Sequence, residues 1–281
     1  MKNFMPNSLS ELYSDLANLT PASKVIGGGT DLVMHLNAGR VEPDALLYLE
    51  NIEETRTIKM DGDTLVIGAG VTMNEMVNSE LLKGKFQSII DAAGDVGSEQ
   101  IRNSGTIGGN IANASPAGDL IPIMFMMDAV LVIASSEGAL KKVAIKDFIV
   151  GPGKTTLGHN EVIIAVRLAV PKSDKYISRF VKLGSRKKVT ISRICVSMGL
   201  EIEDEVIKSA SVYVGSISIL PIKLEDAEKI MIGKKIDHEL KMAVAKVLSD
   251  KIMEVTPEKF DRDYKVWASK GVIADVLECF Q

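Results

Sequence analysis

Apolar positions change period along this chain, and the changes predict its elements. Leu12, Leu16 and Leu19 recur at helical spacing behind Ser8 and Glu11, the two halves of a capping box, so residues 8–18 predict an opening helix. The short apolar run "SKVI" (23–26) predicts a strand that breaks into "GGGT", and "TDLVMHLNAG" (30–39) predicts a helix closed by Gly39. "DALLYLE" (44–50) is the next strand, which completes a small α/β unit. Alternation then takes over. "TRTIKMDGDTLVIGAGV" (55–71) folds back at Asp61-Gly62, a hairpin signal, and Thr72 with Glu75 forms a second capping box. A helix over 86–97, a hairpin pair at 128–135 and 140–149, and a strand at 161–171 stopped by Pro171 follow.

The final hundred residues have another texture. Three antiparallel strands, with a turn at Glu203-Asp204, precede helices near 221–232, 237–252 and 261–279. Strands first and helices after is the α+β order. A boundary near "PKSDK" divides the chain into residues 1–172, with lobes of about 1–54 and 55–172, and a C-terminal α+β domain of 173–281 with a three-stranded sheet.

Composition narrows the chemistry. The net charge of −4 gives no overall positive field to attract a phosphate backbone, so no nucleic-acid partner is expected. The densest basic run, "KLGSRKK" (182–188), reads as a solvated turn or as a face toward an anionic ligand. Cys195 and Cys279, far apart, cannot frame a zinc site or hold an iron–sulfur cluster by four thiolates. Three scattered histidines offer no zinc-protease motif. The N-terminus lacks a signal-peptide core and no apolar stretch is long enough to span a bilayer, so no membrane insertion and a cytoplasmic location are expected.

The glycine-rich stretches remain. "GPGKTT" (151–156) lacks the leading glycine of a P-loop, since Phe148 and Ile149 stand where it belongs. "GAGVTM" has Met73, and "GGGTDL" has Leu32, where a dinucleotide fingerprint needs its third glycine. Gly27, Gly28 and Gly29 nevertheless leave backbone amides uncovered at the start of a helix, which suits an anion such as a phosphate; a tight turn is the other reading. In "TIGGNIANASPAGDL" (106–120), Gly108 and Gly109 permit close backbone approach, and Thr106 and Asn110 supply neutral donors. Asp119 would repel phosphate but can accept from hydroxyls. The two stretches suit a ligand with a diphosphate in its middle and polyol chains beside it, although either alone reads equally as an irregular connection.

"KVIGGGTDLV" (24–33) and "IRNSGTIGGNIANASPAGDLIP" (101–122) resemble the flavin-binding loops of the molybdenum hydroxylase family. The chain is similar to its medium, FAD-binding subunit, as in xanthine and carbon monoxide dehydrogenases. "DFIVGPGKTTLGHNEVIIAVRL" (147–168) and the C-terminal region extend the likeness over nearly the whole chain. The resemblance implies a two-lobed FAD-binding domain of the vanillyl-alcohol-oxidase (PCMH-like) type, closed by the C-terminal domain. It implies that Lys24, Val25, Ile26, Gly27, Gly28, Gly29, Thr30, Asp31 and Leu32 wrap the diphosphate. Thr106, Ile107, Gly108, Gly109 and Asn110 would line its other side, Asn113 and Asp119 would hold polar groups, and Val96, Ile163 and Lys182 would add contacts.

No catalytic side chain is assigned. The resemblance implies that FAD carries electrons from an iron–sulfur small subunit, itself supplied by a molybdopterin-containing large subunit, to an acceptor such as NAD or oxygen. A free-standing NAD(P)H-oxidising flavoprotein of the same fold, and a scaffold subunit without cofactor, are the alternatives.

Overall fold

Turn chemistry and caps locate most elements. In a computed structural model that describes residues 1–256, 258 and 260–281, Ser8 Oγ accepts from the Glu11 amide at 3.2 Å and starts α1 (Leu9–Leu16). Glu11 reaches back to the Asn7 amide at 2.8 Å, one residue before the expected partner. A short first strand, β1 (Lys2–Phe4), precedes it. Then come β2 (Lys24–Ile26), α2 (Leu32–Asn37), β3 (Ala45–Tyr48), β4 (Ile58–Asp61), β5 (Thr64–Gly68) and α3 (Met73–Val77). Four short helices follow: α4 (Gln87–Asp95), α5 (Glu99–Ser104), α6 (Ile107–Asn113) and α7 (Ile121–Met126). After them lie β6 (Val130–Ser135), β7 (Leu140–Ala144), α8 (Ile145–Phe148), β8 (Ile149–Gly151), β9 (Lys154–Thr155) and β10 (Glu161–Ala169). The last part contains β11 (Tyr176–Leu183), β12 (Ile194–Glu203), β13 (Val206–Gly215), β14 (Ile222–Lys223), α9 (Glu225–Met231), α10 (His238–Val255) and α11 (Arg262–Glu278).

Two compact units emerge. The first is Met1–Met76, Ser98–Ala114 and Asp128–Ala169; the second is Val77–Gly97, Ser115–Met127 and Val170–Gln281. The first unit holds a parallel sheet ordered β1-β3-β2 and an antiparallel sheet ordered β4-β5-β10-β6-β7. The hairpin at Asp61-Gly62 forms as its sequence dictates: Gly62 takes φ +58 and Asp61 pairs with Thr64. Leu12 and Leu16 of α1, Leu47 of β3, and Val66, Val132 and Val162 of the antiparallel sheet share one apolar cluster. Both sheets of the first unit are therefore tied by a single core.

The second unit is built on a sheet ordered β11-β12-β13-β14, backed by α9, α10 and α11. Its β12–β13 turn places Asp204 and Glu205 at φ 50 and 64, the paired left-handed residues of a type I′ hairpin. The sheet has four strands where the sequence predicts three. β14 is two residues long and pairs through Tyr213↔Lys223 and Val214↔Ile222, too short a run to show periodicity. Among the described residues no helix is long and apolar enough to cross a membrane.

Candidate functional site

In the first unit, β2 delivers Lys24, Val25 and Ile26, and the chain then turns through Gly27, Gly28, Gly29, Thr30 and Asp31 before Leu32 opens α2. Gly29 sits at φ +68, which an L side chain adopts only with strain. Neither Thr30 nor Asp31 caps α2 with its side chain, and that helix has only six residues. A helix so short has little dipole, so any anion here would be held by amides. The amides of Gly27, Gly28, Gly29 and Thr30 find no acceptor among the described residues. They stay available to a ligand.

The second stretch is different. It forms a helix where the sequence suggested an irregular loop. Thr106 caps α6, its Oγ1 accepting from the Gly109 amide at 3.1 Å. The Ile107 and Gly108 amides donate to the carbonyls of Val71 (3.0 Å) and Ala69 (2.9 Å), and the Asn110 amide donates to Thr106 O. Its backbone donors are thus already bound within the protein, and what it offers a ligand is surface and side chains. Asn110 Oδ1 is buried with no hydrogen-bond partner. Gly109 and Asn113 are exposed, and Ile107 and Gly108 are buried.

The glycines also explain how the two stretches meet. A Cβ on Gly28 would lie 1.6 Å from the Ser104 carbonyl oxygen, and one on Gly27 would lie 2.7 Å from Thr106 Oγ1. A Cβ on Gly108 would meet Ala69 at 2.7 Å, whereas one on Gly109 would touch only Thr106 Oγ1 at 3.0 Å. Three of these glycines serve chain-to-chain contact. Gly109 is open except toward the Thr106 hydroxyl.

Two adjoining hollows lie beside this contact. A polar cleft of ≈ 250 Å³ is lined by Gly27, Gly28, Glu50, Arg56, Thr72, Ser104 and Thr106, among others. An apolar hollow of ≈ 70 Å³ shares Gly27, Leu49 and Thr106 with it and adds Val25, Gly108, Gly109, Leu157, Val162 and Ile163. Ile163 thereby lines the same hollow as the two glycine stretches. Arg56 was missed by the sequence reading; within "TRTIKM" it looks like any outward strand residue. Glu75 holds its guanidinium at 2.9 Å, and Glu75 is itself fixed by the Thr72 capping box, with Oε2 accepting from the Thr72 amide at 2.7 Å. A cation, the free amides of Gly27 and Gly28 and an apolar wall suit a phosphate joined to a flat ring, with Glu50 as an opposing charge in the same cleft.

Val96, Asp119 and Lys182 belong to the second unit. Lys182 Nζ on β11 meets Asp119 Oδ2 at 2.5 Å and also donates to Asp95 O at 3.1 Å. The two side chains are 5% and 6% exposed. Asp119 Oδ1 is buried without a partner. Burial raises the Asp119 carboxyl to about 6 despite the opposing pull of Lys182. Val96 follows α4 and is half-buried. Cys195 is buried, and its thiol is pushed up to about 12 by that burial and by the Asp119 charge, so it is a packing residue with no thiolate at neutral pH. Among the described residues no three His, Cys, Asp or Glu side chains group closely enough to hold a metal ion.

The "GPGKTT" stretch is the β8–β9 hairpin, with Gly153 at φ +64 and no helix after it, so it forms no P-loop.

Residues 1–172 match the family model described as the FAD binding domain in molybdopterin dehydrogenase. Residues 179–276 match the CO dehydrogenase flavoprotein C-terminal domain. The chain is 31% identical over 286 residues to the nicotinate dehydrogenase FAD-subunit of Eubacterium barkeri, covering 98% of this chain and 95% of that one. It is 27% identical over 232 residues to the carbon monoxide dehydrogenase medium chain of Afipia carboxidovorans, covering 83% and 80%. The fold superposes on the crystal structure of quinoline 2-oxidoreductase from Pseudomonas putida 86 with a TM-score of 0.89 at 24% identity, over 99% of this chain and 96% of that one. Fold and matches together define an FAD-binding oxidoreductase subunit. The chain belongs to the family of FAD-binding medium subunits of molybdenum hydroxylases.

Proposed function

We propose that this chain is the electron-transfer subunit of a multi-subunit molybdenum hydroxylase, passing electrons from an iron–sulfur subunit via FAD to an acceptor such as NAD or oxygen. The carrying observation is the run of unsatisfied amides from Gly27 to Thr30, of which Gly27 and Gly28 line one cleft with Arg56 and Glu50, and Gly27 also borders an apolar hollow. FAD, when bound, supplies the redox chemistry; the protein supplies binding, orientation and electrostatics. In this reading the 24–32 turn and Arg56 neutralise the diphosphate. Gly109, Asn110 and Asn113 border it, with Asn110 Oδ1 gaining the donor it otherwise lacks. Val25 and Ile163 wall an apolar part of the cofactor. Asp119 Oδ1, also without a donor, is a further acceptor for a ligand hydroxyl or N–H, and Lys182 holds that carboxyl in place; Val96 is a further contact. Residues 1–172 form the FAD-binding domain in this reading, and 173–281 the C-terminal domain. Substrate chemistry resides in a molybdopterin-containing partner.

The test is direct. Purified chain should be yellow, release one FAD per chain on denaturation, and copurify from its native cell with iron–sulfur and molybdenum-containing chains. Colourless protein that takes up no added FAD would refute the cofactor site; FAD-loaded protein that always purifies alone would favour the free-standing NAD(P)H-oxidising flavoprotein.

A further inference from the structure

The exposed large aromatic side chains among the described residues, Phe260, Tyr264 and Trp267, all lie at or just before the start of α11 in the second unit. Tyr264 and Trp267 stand three residues apart on the helix with ring centroids 6.3 Å apart, and Trp267 is 72% exposed. Arg193 lays its guanidinium 5.5 Å over the Tyr264 ring, which ties the segment before β12 to the helix. Two residues earlier, Ile191 is 78% exposed. Isolated apolar residues on a surface need no explanation, but an exposed pair of joined rings does.

The segment that Arg193 ties to the helix is basic. Residues 184–193 carry Arg186, Lys187, Lys188 and Arg193 with no acidic residue, in a chain of net charge −4. Beside the aromatics, Asp261 pairs with Lys265 at 3.2 Å and Asp263 with Arg262 at 3.0 Å, while Glu258 is exposed. The basic turn is braced from within, Arg186 Nε donating to Val189 O at 2.8 Å and the Ser185 amide to Thr190 Oγ1 at 3.0 Å. A partner would therefore pay little ordering entropy there. The same turn, with Lys182 and Asp95, lines a cleft of ≈ 620 Å³.

We infer that this patch docks an acidic electron-carrier protein, which sets a small iron–sulfur or flavin carrier beside the nicotinamide and oxygen acceptors. The inference rests on the reading of this chain as an electron-transfer subunit and of Lys182 as a flavin contact. Three physical points select this occupant. Permanent subunit interfaces are depleted of lysine and apolar at their centres, whereas brief redox encounters use a small apolar centre with a charged rim. A second copy of this chain meeting it through the same patch about a two-fold axis would set the basic turns against each other, which is repulsive. A free dinucleotide would stack on one ring at most and leave Phe260 and Ile191 uncovered.

The experiment uses the full chain loaded with FAD and an oxidised acidic [2Fe–2S] ferredoxin as probe. Binding is measured at low and high salt, together with hydroxyl-radical footprinting of Trp267, the chain's single tryptophan. Expected are weak one-to-one binding, loss of that binding at high salt, and protection of Trp267. Affinity should fall about tenfold in Lys187→Glu/Lys188→Glu and again in Trp267→Ala, with FAD content unchanged in both. Absence of binding, wild-type affinity in both variants, unchanged labelling of Trp267, or dimerisation of the chain through Trp267 would each overturn the inference. So would sensitivity to the lysines alone. Because FAD content is measured separately, any of these failures leaves the cofactor reading standing; failure to load FAD would remove that reading and this one together.

Discussion

The first unit presents its candidate site as bare backbone, and the second presents its own as a buried pair of opposite charges. Around Gly27–Thr30 and α6, close approach and free amides dominate, with Arg56, held by Glu75, and Glu50 as the charges in the cleft. Around Asp119 and Lys182, the geometry is ordinary strand and turn, and desolvated charge decides. Substitutions should therefore act sterically and without pH dependence in the first unit, and electrostatically in the second. The family match makes both regions parts of one flavoprotein, yet their failure modes differ.

The largest effect should separate two glycines that look alike in sequence. Gly28→Ala places a methyl where the Ser104 carbonyl oxygen already stands, and backbone cannot move aside cheaply. A loss on the order of 4–5 kcal/mol is expected, seen as little folded protein and no bound FAD. Gly109→Val meets only the Thr106 hydroxyl and faces solvent. It should melt near the wild-type temperature while FAD affinity falls at least about tenfold. Equal melting of the two variants would erase the distinction between packing glycine and ligand-facing glycine.

The next effect belongs to the second unit. Lys182→Met leaves the Asp119 carboxyl buried without its cation, a change that costs roughly 3 kcal/mol or more in denaturant unfolding. The double variant Lys182→Met/Asp119→Leu removes both charges and should recover most of that loss. If the double variant is as unstable as the single, packing rather than charge governs the pair. Smaller still is Thr106→Val, which keeps the volume but deletes the cap on the Gly109 amide. It should cost about 1 kcal/mol, and Thr106→Ser should restore it.

How much of this was legible follows from which forces are local. The Asp61-Gly62 hairpin and the Thr72–Glu75 box are written in neighbouring residues, and the structure forms both. The helix α6 was not legible, because Gly108, Gly109 and Asn110 are poor helix formers. It exists because Val71 and Ala69, distant in sequence, supply carbonyls to its first amides. Strands β1 and β14 were missed for the same reason: three and two residues carry no period, and their pairing is non-local. The glycine turn at 27–29 announced a place of close approach, but Gly27 and Gly28 are required by Thr106 and Ser104 rather than by a ligand alone. Arg56 could be found only once the fold set it beside that turn. Asp119 and Lys182 were each singled out, yet their mutual contact needed a strand register that no short motif encodes.

The finest way to sharpen the contrast is pH. The Asp119 carboxyl is raised from its ordinary 3.8 to about 6 in the folded chain, with burial as the first cause. A raised acid means that the folded state holds the proton more tightly than the unfolded state does. Its stabilising contribution is complete below about 3.8 and is lost as pH rises through about 6. Asp44 and Glu161 in the first unit are shifted the other way, Asp44 by hydrogen bonds from Thr20 and Ser23, and Glu161, against the upward push of burial, by Lys141 and the Gly158 amide together. Those two groups gain stability over ordinary carboxylate pH, so the whole-chain curve blends opposite slopes. Subtracting Asp119→Asn from wild type isolates the Asp119 share from those of Asp91, Glu205 and Asp226 in the same unit. The difference in denaturant midpoint should change across the window from about 3.8 to about 6 and flatten above it. A difference that is flat throughout would show that the buried pair titrates as though solvated. The contrast between a backbone site and a charge site would then collapse.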